Sequence, residues 1–542
     1  MATPFPEGLP YASCSMVMNL PWKHLAFAFA LCSTMHAAEF DFVLTSGQVL
    51  DGSGQAAVVT NIGIKDGRIT RLGNFSPGDS ATIDAEGRYV APGFIDVHTH
   101  SEKVADLPAV ENFLRMGVTT IITGNCGSSH VDVAQFFKEL DETKLSLHVA
   151  TLIGHNSVRE KAMGGSFMRP PNEAQLKSMD DLVDQAMKDG AVGLSTGLIY
   201  LPGTFAKTDE IVSLAKVAAA HDGIYASHIR SETHRIFGAL EEFLTVAREA
   251  KIPAELSHIK LSGPSAWGKA HEVLALLDKA RAEGLNITHD LYAYTASSTS
   301  LGQLIPDDAR EGKRSDFAER ITDPKKKAEI VAKMKAMLIG SGRKSYDYAV
   351  IAHYRHDPSI NGQSVPKVAK LWHGADDLDH QIETVLEIEK QGGASAVFHG
   401  MNEADLRVFL QHPLTMIASD GNPRKLGDAV PHPRSYGNNA RVLARYVRDE
   451  KLLTVEDAVR RMTSLPAQTF RLKGKGKGKI EVGADADIVV FDLQKVADPS
   501  TFDDPHHYAE GFSDVLVKGV PVIRDGKLTE ARPGGALRRC TR

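Results

Sequence analysis

Past Phe40 the chain alternates apolar and polar positions with a period of two. Asp41-Phe42-Val43-Leu44, Asn61-Ile62-Gly63-Ile64 and Arg68-Ile69-Thr70-Arg71-Leu72 follow one another, with Asp-Gly turns at Asp51-Gly52 and Asp66-Gly67. Such alternation, broken by tight turns, predicts a small antiparallel sheet. The pattern returns near the far end in Ala486-Asp487-Ile488-Val489-Val490-Phe491, Val515-Leu516-Val517-Lys518-Gly519 and Val522-Ile523-Arg524-Asp525-Gly526. Residues 39–91 and 480–542 are therefore expected to build one composite β-sandwich.

Between these ends the rhythm changes to short apolar runs alternating with amphipathic helices, the signature of repeated βα units on a parallel sheet. The runs are Phe94–Val97, Thr119–Ile122, Leu147–Leu152, Ala191–Leu194, Ile224–Ser227, Ala254–Ser257, Asn286–Thr288 and Met416–Ser419. Eight such units predict an α/β fold, a (β/α)8 TIM-like barrel over residues 92–479. The stretch between the last two runs is too long for one helix. A charged helix from Lys325 to Met337, a break at Ser341-Gly342 and a strand at Tyr348–Ala352 mark an insertion at about 306–370. It is expected either to fold over the barrel mouth or to be an uninvolved surface excursion. The Gly-Lys run from Gly474 to Lys479 reads as a flexible joint back to the sandwich.

At 542 residues the chain exceeds the size at which a single core stops growing, which fits one large domain and a smaller one. A net charge of −6, from 62 basic and 68 acidic residues, gives no strong field. No basic stripe with interleaved aromatics is seen, so nucleic acid is not an expected partner. Lys23-His24 precedes the apolar run Leu25–Leu31, and Ala37-Ala38 follow it. That is the pattern of a secretory signal over residues 1–38, with translation expected to begin at Met16 or Met18 and the product exported, periplasmic or secreted. No other run is long enough to span a membrane. Of four cysteines, Cys14 and Cys32 would leave with the signal and Cys540 sits in a basic tail. Cys126 is left alone in the body, without a disulfide framework, as packing or as chemistry.

Barrel chemistry sits at the C-terminal ends of the strands. His98 and His100, one residue apart at the end of the first run, leave the same face. The second run ends in Asn125-Cys126-Gly127, the fifth in His228, the sixth in His258 and the eighth in Asp420. The remaining ends carry His155, Ser195-Thr196-Gly197 with Tyr200, and Asp290 with Tyr292 and Tyr294; His155 and His289 are expected near the pocket without an assigned role. Thiolate and imidazole are ready zinc ligands, and a catalytic zinc site keeps a position open for water. Zinc lowers the pKa of that water to about 7. Asp420 is placed to take the water's proton and pass it to a departing amine.

Particular strings narrow the picture. Pro92-Gly93-Phe94-Ile95-Asp96-Val97-His98-Thr99-His100 and Ser419-Asp420-Gly421 resemble the amidohydrolase superfamily. Gly124-Asn125-Cys126-Gly127, Ser227-His228-Ile229-Arg230-Ser231-Glu232, Ser257-His258-Ile259-Lys260, Asp290-Leu291-Tyr292-Ala293-Tyr294-Thr295 and His432-Pro433-Arg434-Ser435-Tyr436-Gly437 resemble its N-acyl-D-amino acid deacylases, the D-aminoacylases. The resemblance runs from about Phe40 to Arg539. It implies a zinc amide hydrolase whose partner is a small-molecule N-acyl amino acid and whose products are a carboxylate and a D-amino acid. Cys126, His228 and His258 match the ligands of a tightly bound zinc; His98 and His100 match those of a second, looser position bridged by the same sulfur. Many superfamily members bridge their metals with a strand-four Lys, but here that strand reads Val192-Gly193-Leu194-Ser195. Arg434 and Lys260 match carboxylate-binding positions, and Tyr292 and Tyr200 match supporting hydroxyls. Strand alternation leaves open whether Tyr292 or Tyr294 faces the site. Relatives acting on acidic side chains place an Arg soon after the strand-seven tyrosines; here the first is Arg310, which favours neutral or apolar side chains.

Two rival readings remain. A cyclic-amide hydrolase of dihydroorotase or hydantoinase type, or an isoaspartyl dipeptidase, keeps the metal and changes the bond; those relatives usually bridge with a modified Lys, which makes Cys126 the discriminating residue. A catalytically silent binding protein would lack a ligand or the acid, and this chain has both.

Overall fold

The computed structural model describes residues 38–472 and 476–539; the expected signal and most of the region ahead of Glu39 lie outside them. All eight apolar runs become parallel strands of a barrel: Phe94–Asp96, Val118–Thr123, His148–Thr151 continuing as Ile153–Gly154, Gly193–Gly197, Ile224–His228, Ala254–Leu256, Ile287–Leu291 and Thr415–Ile417. Buried on both faces, such strands read as continuous rather than alternating apolar text; every residue of Val118–Thr123 is buried. The surrounding helices show the complementary pattern. Ile236–Ala250 buries Ile236, Ala239, Leu240, Phe243, Leu244 and Ala247, a stripe at helical spacing that packs inward.

The ring closes through the residues of greatest chemical interest. Between the eighth and first strands, Asp420 N donates to His98 O at 2.9 Å and His100 N donates to Gly421 O at 2.8 Å. Ser419 N donates to the Asp96 carboxylate at 3.0 and 3.1 Å. The seam of the barrel therefore fixes the positions of His98, His100 and Asp420 relative to one another.

The two ends of the chain meet in a nine-stranded sheet. Its N-terminal wing contains Phe42–Val49, Val58–Lys65 and Arg68–Gly73, and its C-terminal wing Ile488–Phe491, Phe512–Val517 and Val520–Arg524; the join is antiparallel pairing of Tyr89–Pro92 with Ile488–Phe491. Period-two geometry explains how this sheet holds two cores apart. Ile488 and Val490 share one core with Leu44, Ile62, Ile64 and Ile83, whereas Val489 and Phe491 face the barrel core, which also contains Phe94.

Two sequence expectations need correction. The insertion is longer than 306–370. Ser297–Ser300, Ala349–His353 and Ser395–Phe398 form a three-stranded antiparallel sheet with Ser395–Phe398 in the middle, over a separate core that includes Leu301, Phe317, Met334 and Ile351. Nor is all of the Gly474–Lys479 run a loose joint. Residues 474 and 475 lie outside the described residues, but Lys477 is buried, with Nζ 2.9 Å from Asp485 and 2.5 Å from Asp487. Burial by itself would raise the Asp487 carboxyl, yet Lys477 and His148 hold it far below the usual carboxylate range. Replacing Lys477 by Ala strands these carboxylates and is expected to lower stability by about 3–5 kcal/mol in equilibrium denaturation. Because the folded Asp487 is depressed, its stabilisation is present above the unfolded carboxylate pKa and is lost on acidification. The gap between the variant and the native chain should therefore narrow as pH falls below about 4.

Candidate active site

The loop after the second strand carries Cys126 in a left-handed conformation, φ 51°. It is held from three sides. Asn125 Nδ2 donates to Ile122 O at 3.0 Å, Gly127 N donates to Ser195 Oγ at 3.0 Å, and Ser195 Oγ donates to Gly124 O. Gly197 approaches so closely that a Cβ there would stand 2.0 Å from Cys126 O, so a side chain at this position would push the loop away. Strand four thus braces the cysteine loop and offers no lysine of its own.

The Cys126 sulfur lies 3.4 Å from His98 Nε2, 3.6 Å from His258 Nε2 and 3.7 Å from His228 Nδ1. Zinc bonds of about 2.3 Å to sulfur and 2.0–2.1 Å to nitrogen, set at the tetrahedral angle, place S and N about 3.6 Å apart. All three distances fit. Three groups have ligand atoms within 4.8 Å of one another and could hold an ion: His98, Cys126 and His258; His98, His100 and Asp420; and His228, Glu232 and His258. Burial opposes a thiolate here, but the imidazoles of His98 and His258 outweigh it and hold the Cys126 thiol well below its ordinary value.

Carboxylates grip the outer nitrogens of these rings. Asp290 Oδ2 is 3.1 Å from His98 Nδ1. Glu232 Oε1 lies 3.2 Å from His258 Nδ1 and 3.6 Å from His228 Nε2. Such contacts fix ring orientation and raise ligand basicity. Behind Asp290, burial and the Asp290 charge push the Glu255 carboxyl well up, whereas Asp290, though burial opposes it, is drawn down by His98. Glu232 and Asp290 stood in the quoted sequence strings without a role. The available signal was position: Glu232 follows His228 by four residues, and Asp290 stands next to the C-terminal end of a barrel strand.

Asp420 is buried, with φ 51°. Its Oδ1 is 3.1 Å from His100 Nε2 and 3.7 Å from His98 Nε2, and its Oδ2 is 2.8 Å from Arg434 Nη1. Burial opposes its charge, but Arg434 first and then the two histidines hold the carboxyl well below the usual range. His258 also has positive φ, at 38°. Left-handed backbone at three non-glycine site residues is strain of roughly 1–3 kcal/mol each, maintained by the surrounding fold.

A cavity of about 460 Å³ opens onto His100, Cys126, His258, Asp420 and Arg434, with Tyr200 on its wall. Ser298, Thr299, Ser300 and Ser395 also line it, so the insertion forms part of the site and is not an uninvolved excursion. Tyr200 Oη accepts from Thr299 Oγ1 at 3.3 Å. Tyr292, fully buried, lies under the Arg434 guanidinium at 4.6 Å from ring centre to Cζ, while Tyr294 donates to Asp498 at 2.7 Å. Tyr292 is thus the strand-seven tyrosine on the site side, acting through Arg434. Lys260 Nζ is engaged by Glu232 at 2.5 Å and lies 2.8 Å from His258 Nδ1, on the metal-ligand side. His155 and His289 are not pocket residues. His155 pairs with Glu210 at 2.8 Å beside buried Arg159, and His289 lies between Thr415 and Arg281.

A cysteine sulfur and imidazoles gathered beside a buried acid, at the C-terminal mouth of an eight-stranded barrel, define a metal-dependent hydrolase. The model of the amidohydrolase family matches residues 81–523, and the chain belongs to that family. Its relatives narrow the placement to the N-acyl-D-amino acid deacylases. The chain is 35% identical over 92% of its length to N-acyl-D-glutamate deacylase of Alcaligenes xylosoxydans xylosoxydans, covering 97% of that protein. It is 32% identical to D-aminoacylase of the same organism, again over 92% of this chain and 98% of the relative. Among solved structures, N-acyl-D-glutamate deacylase from Bordetella bronchiseptica, complexed with zinc and a phosphonate mimic of the tetrahedral intermediate, superposes with a TM-score of 0.78 at 33% identity. The match covers 92% of this chain and 99% of that one.

Proposed function

We propose that this protein is a zinc-dependent hydrolase that removes the acyl group from N-acyl-D-amino acids. The observation that carries the reading is the Cys126 sulfur within 3.4–3.7 Å of three imidazoles, beside an acid bound to His100 and Arg434. Cys126, His228 and His258 would hold the tighter ion, and His98 and His100 would border a looser one that shares the sulfur. Zinc, when bound, supplies a Lewis acid and a nucleophile available at neutral pH. Asp420, kept as a carboxylate by Arg434, enters as the base; it accepts a proton on the oxygen facing His100 and delivers it to the amide nitrogen as that bond breaks. Arg434 offers its remaining N–H groups to the substrate α-carboxylate, with Tyr292 supporting its plane and Tyr200 bounding the cavity. Lys260 contributes through Glu232 and the His258 ring.

Zinc-loaded protein should cleave N-acetyl-D-methionine and leave the L enantiomer intact; cleavage of neither, or only of L, refutes the reading. Asp290→Asn should loosen the ion bordered by His98 by roughly 10- to 100-fold, leaving the tighter ion in place. Metal titration of the variant checks this. The sequence around Lys23–Ala38 supports export, and an exported protein should show a mature N-terminus at Glu39. The inference of neutral or apolar substrate side chains rests on the lack of an Arg between Tyr294 and Arg310, but a cation reaches the cavity from another loop.

A further inference from the structure

That cation is Arg424. It stands four residues after Asp420, on the loop that leads to Arg434, and it lines the catalytic cavity. It also lines a second cavity of about 620 Å³ that shares His100, Ser128 and Asn422 with the first and has Glu102, Lys103, Asp106 and His130 on its wall. Arg424 is thus where the two spaces meet.

Glu102 and Asp106 stand on the wall of the same second cavity, but among the described residues neither pairs with Arg424. Among the described residues no carboxylate or carbonyl bonds to its guanidinium, and Nε is shielded from solvent without a partner. Arg434, by contrast, is tied to Asp420. The backbone beneath Arg424 is nonetheless fixed. Arg424 N donates to Asn112 Oδ1 at 3.2 Å, and Asn112 Nδ2 donates to Asn422 O at 3.0 Å and Ser435 O at 2.7 Å. Asn422 Nδ2 donates to His100 O at 3.0 Å. One buried asparagine therefore holds the Arg424 loop to the Arg434 segment, and Asn422 ties the same loop to His100.

A guanidinium held in a cavity, with unused donors, is suited to bidentate recognition of a carboxylate. Arg434 is already committed to the α-carboxylate in the reading above, on which this inference rests. We infer that Arg424 recognises a second carboxylate on the substrate, carried either by the amino acid side chain or by a dicarboxylic acyl group. It is a specificity-determining residue of the deacylase.

The test compares kcat/KM of the native enzyme, Arg424→Gln and Arg424→Lys on N-acetyl-D-methionine, N-acetyl-D-glutamate and N-succinyl-D-methionine. In Arg424→Gln the preference for one dianionic substrate over N-acetyl-D-methionine should fall roughly 10- to 100-fold, mainly through KM. Arg424→Lys, which keeps the charge without the fork, should fall in between. A drop confined to glutamate places the second carboxylate in the side chain, and a drop confined to the succinyl substrate places it in the acyl group. Unchanged ratios for both overturn the inference while leaving the deacylase reading intact. A native enzyme that cleaves none of the three overturns both.

Discussion

Replacing Cys126 by Ala should strip the protein of its tightly held zinc and of its activity together. The sulfur lies within 3.4–3.7 Å of ring nitrogens of His98, His228 and His258. Protein-bound zinc at four-ligand sites is held by roughly 10–16 kcal/mol, so one ligand is worth about 3 kcal/mol, or roughly a hundredfold in affinity. Cys126 would serve both ions in the proposed reading, so its loss should exceed that figure. Cys126→Ser should fare little better, because a neutral hydroxyl is a poor substitute for a thiolate. Metal analysis after dialysis, with circular dichroism to show an intact fold, reads the result. A Cys126→Ala protein that kept full zinc and a tenth of native turnover would remove the sulfur from the centre.

Asp420→Asn has the second large effect, and it separates differently. Asparagine keeps the shape and can still face His100 and Arg434, but it cannot accept the proton that the amine must later receive. Turnover should fall by about 10²–10⁴, the range of a general acid–base residue, while zinc content stays near native. The pairing of lost kcat with retained metal is the distinguishing readout. Loss of zinc in step with activity would make Asp420 a ligand rather than the proton carrier, and unchanged turnover would remove it from the reaction.

The parts legible in sequence are those written in local pattern. All eight barrel strands fell where short apolar runs stood, because a strand buried on both faces needs continuous apolar text. The ligand-type residues were visible because the barrel reserves strand ends for chemistry. What escaped depends on contacts distant in the chain. The insertion was drawn too short because its middle strand, Ser395–Phe398, pairs with Ser297–Ser300 nearly a hundred residues earlier, and nothing local announces that register. Lys477 looked like part of a solvated Gly-Lys run, yet two aspartates of the sandwich draw it inside. Lys260 entered through the resemblance as a carboxylate-binding position, and its contact with Glu232, 28 residues away in the chain, had no local signal. The left-handed backbone at Cys126, His258 and Asp420 carries only a weak residue signature: none is glycine, and of the three only His and Asp are types enriched at positive φ.

The sharing of one sulfur among the imidazoles is the claim on which the rest depends. Zinc-edge X-ray absorption on protein loaded with a single equivalent of zinc tests it most directly. One sulfur at about 2.3 Å with imidazole nitrogens at about 2.0–2.1 Å is the expected result. A first shell of nitrogen and oxygen alone, with no sulfur, would contradict it.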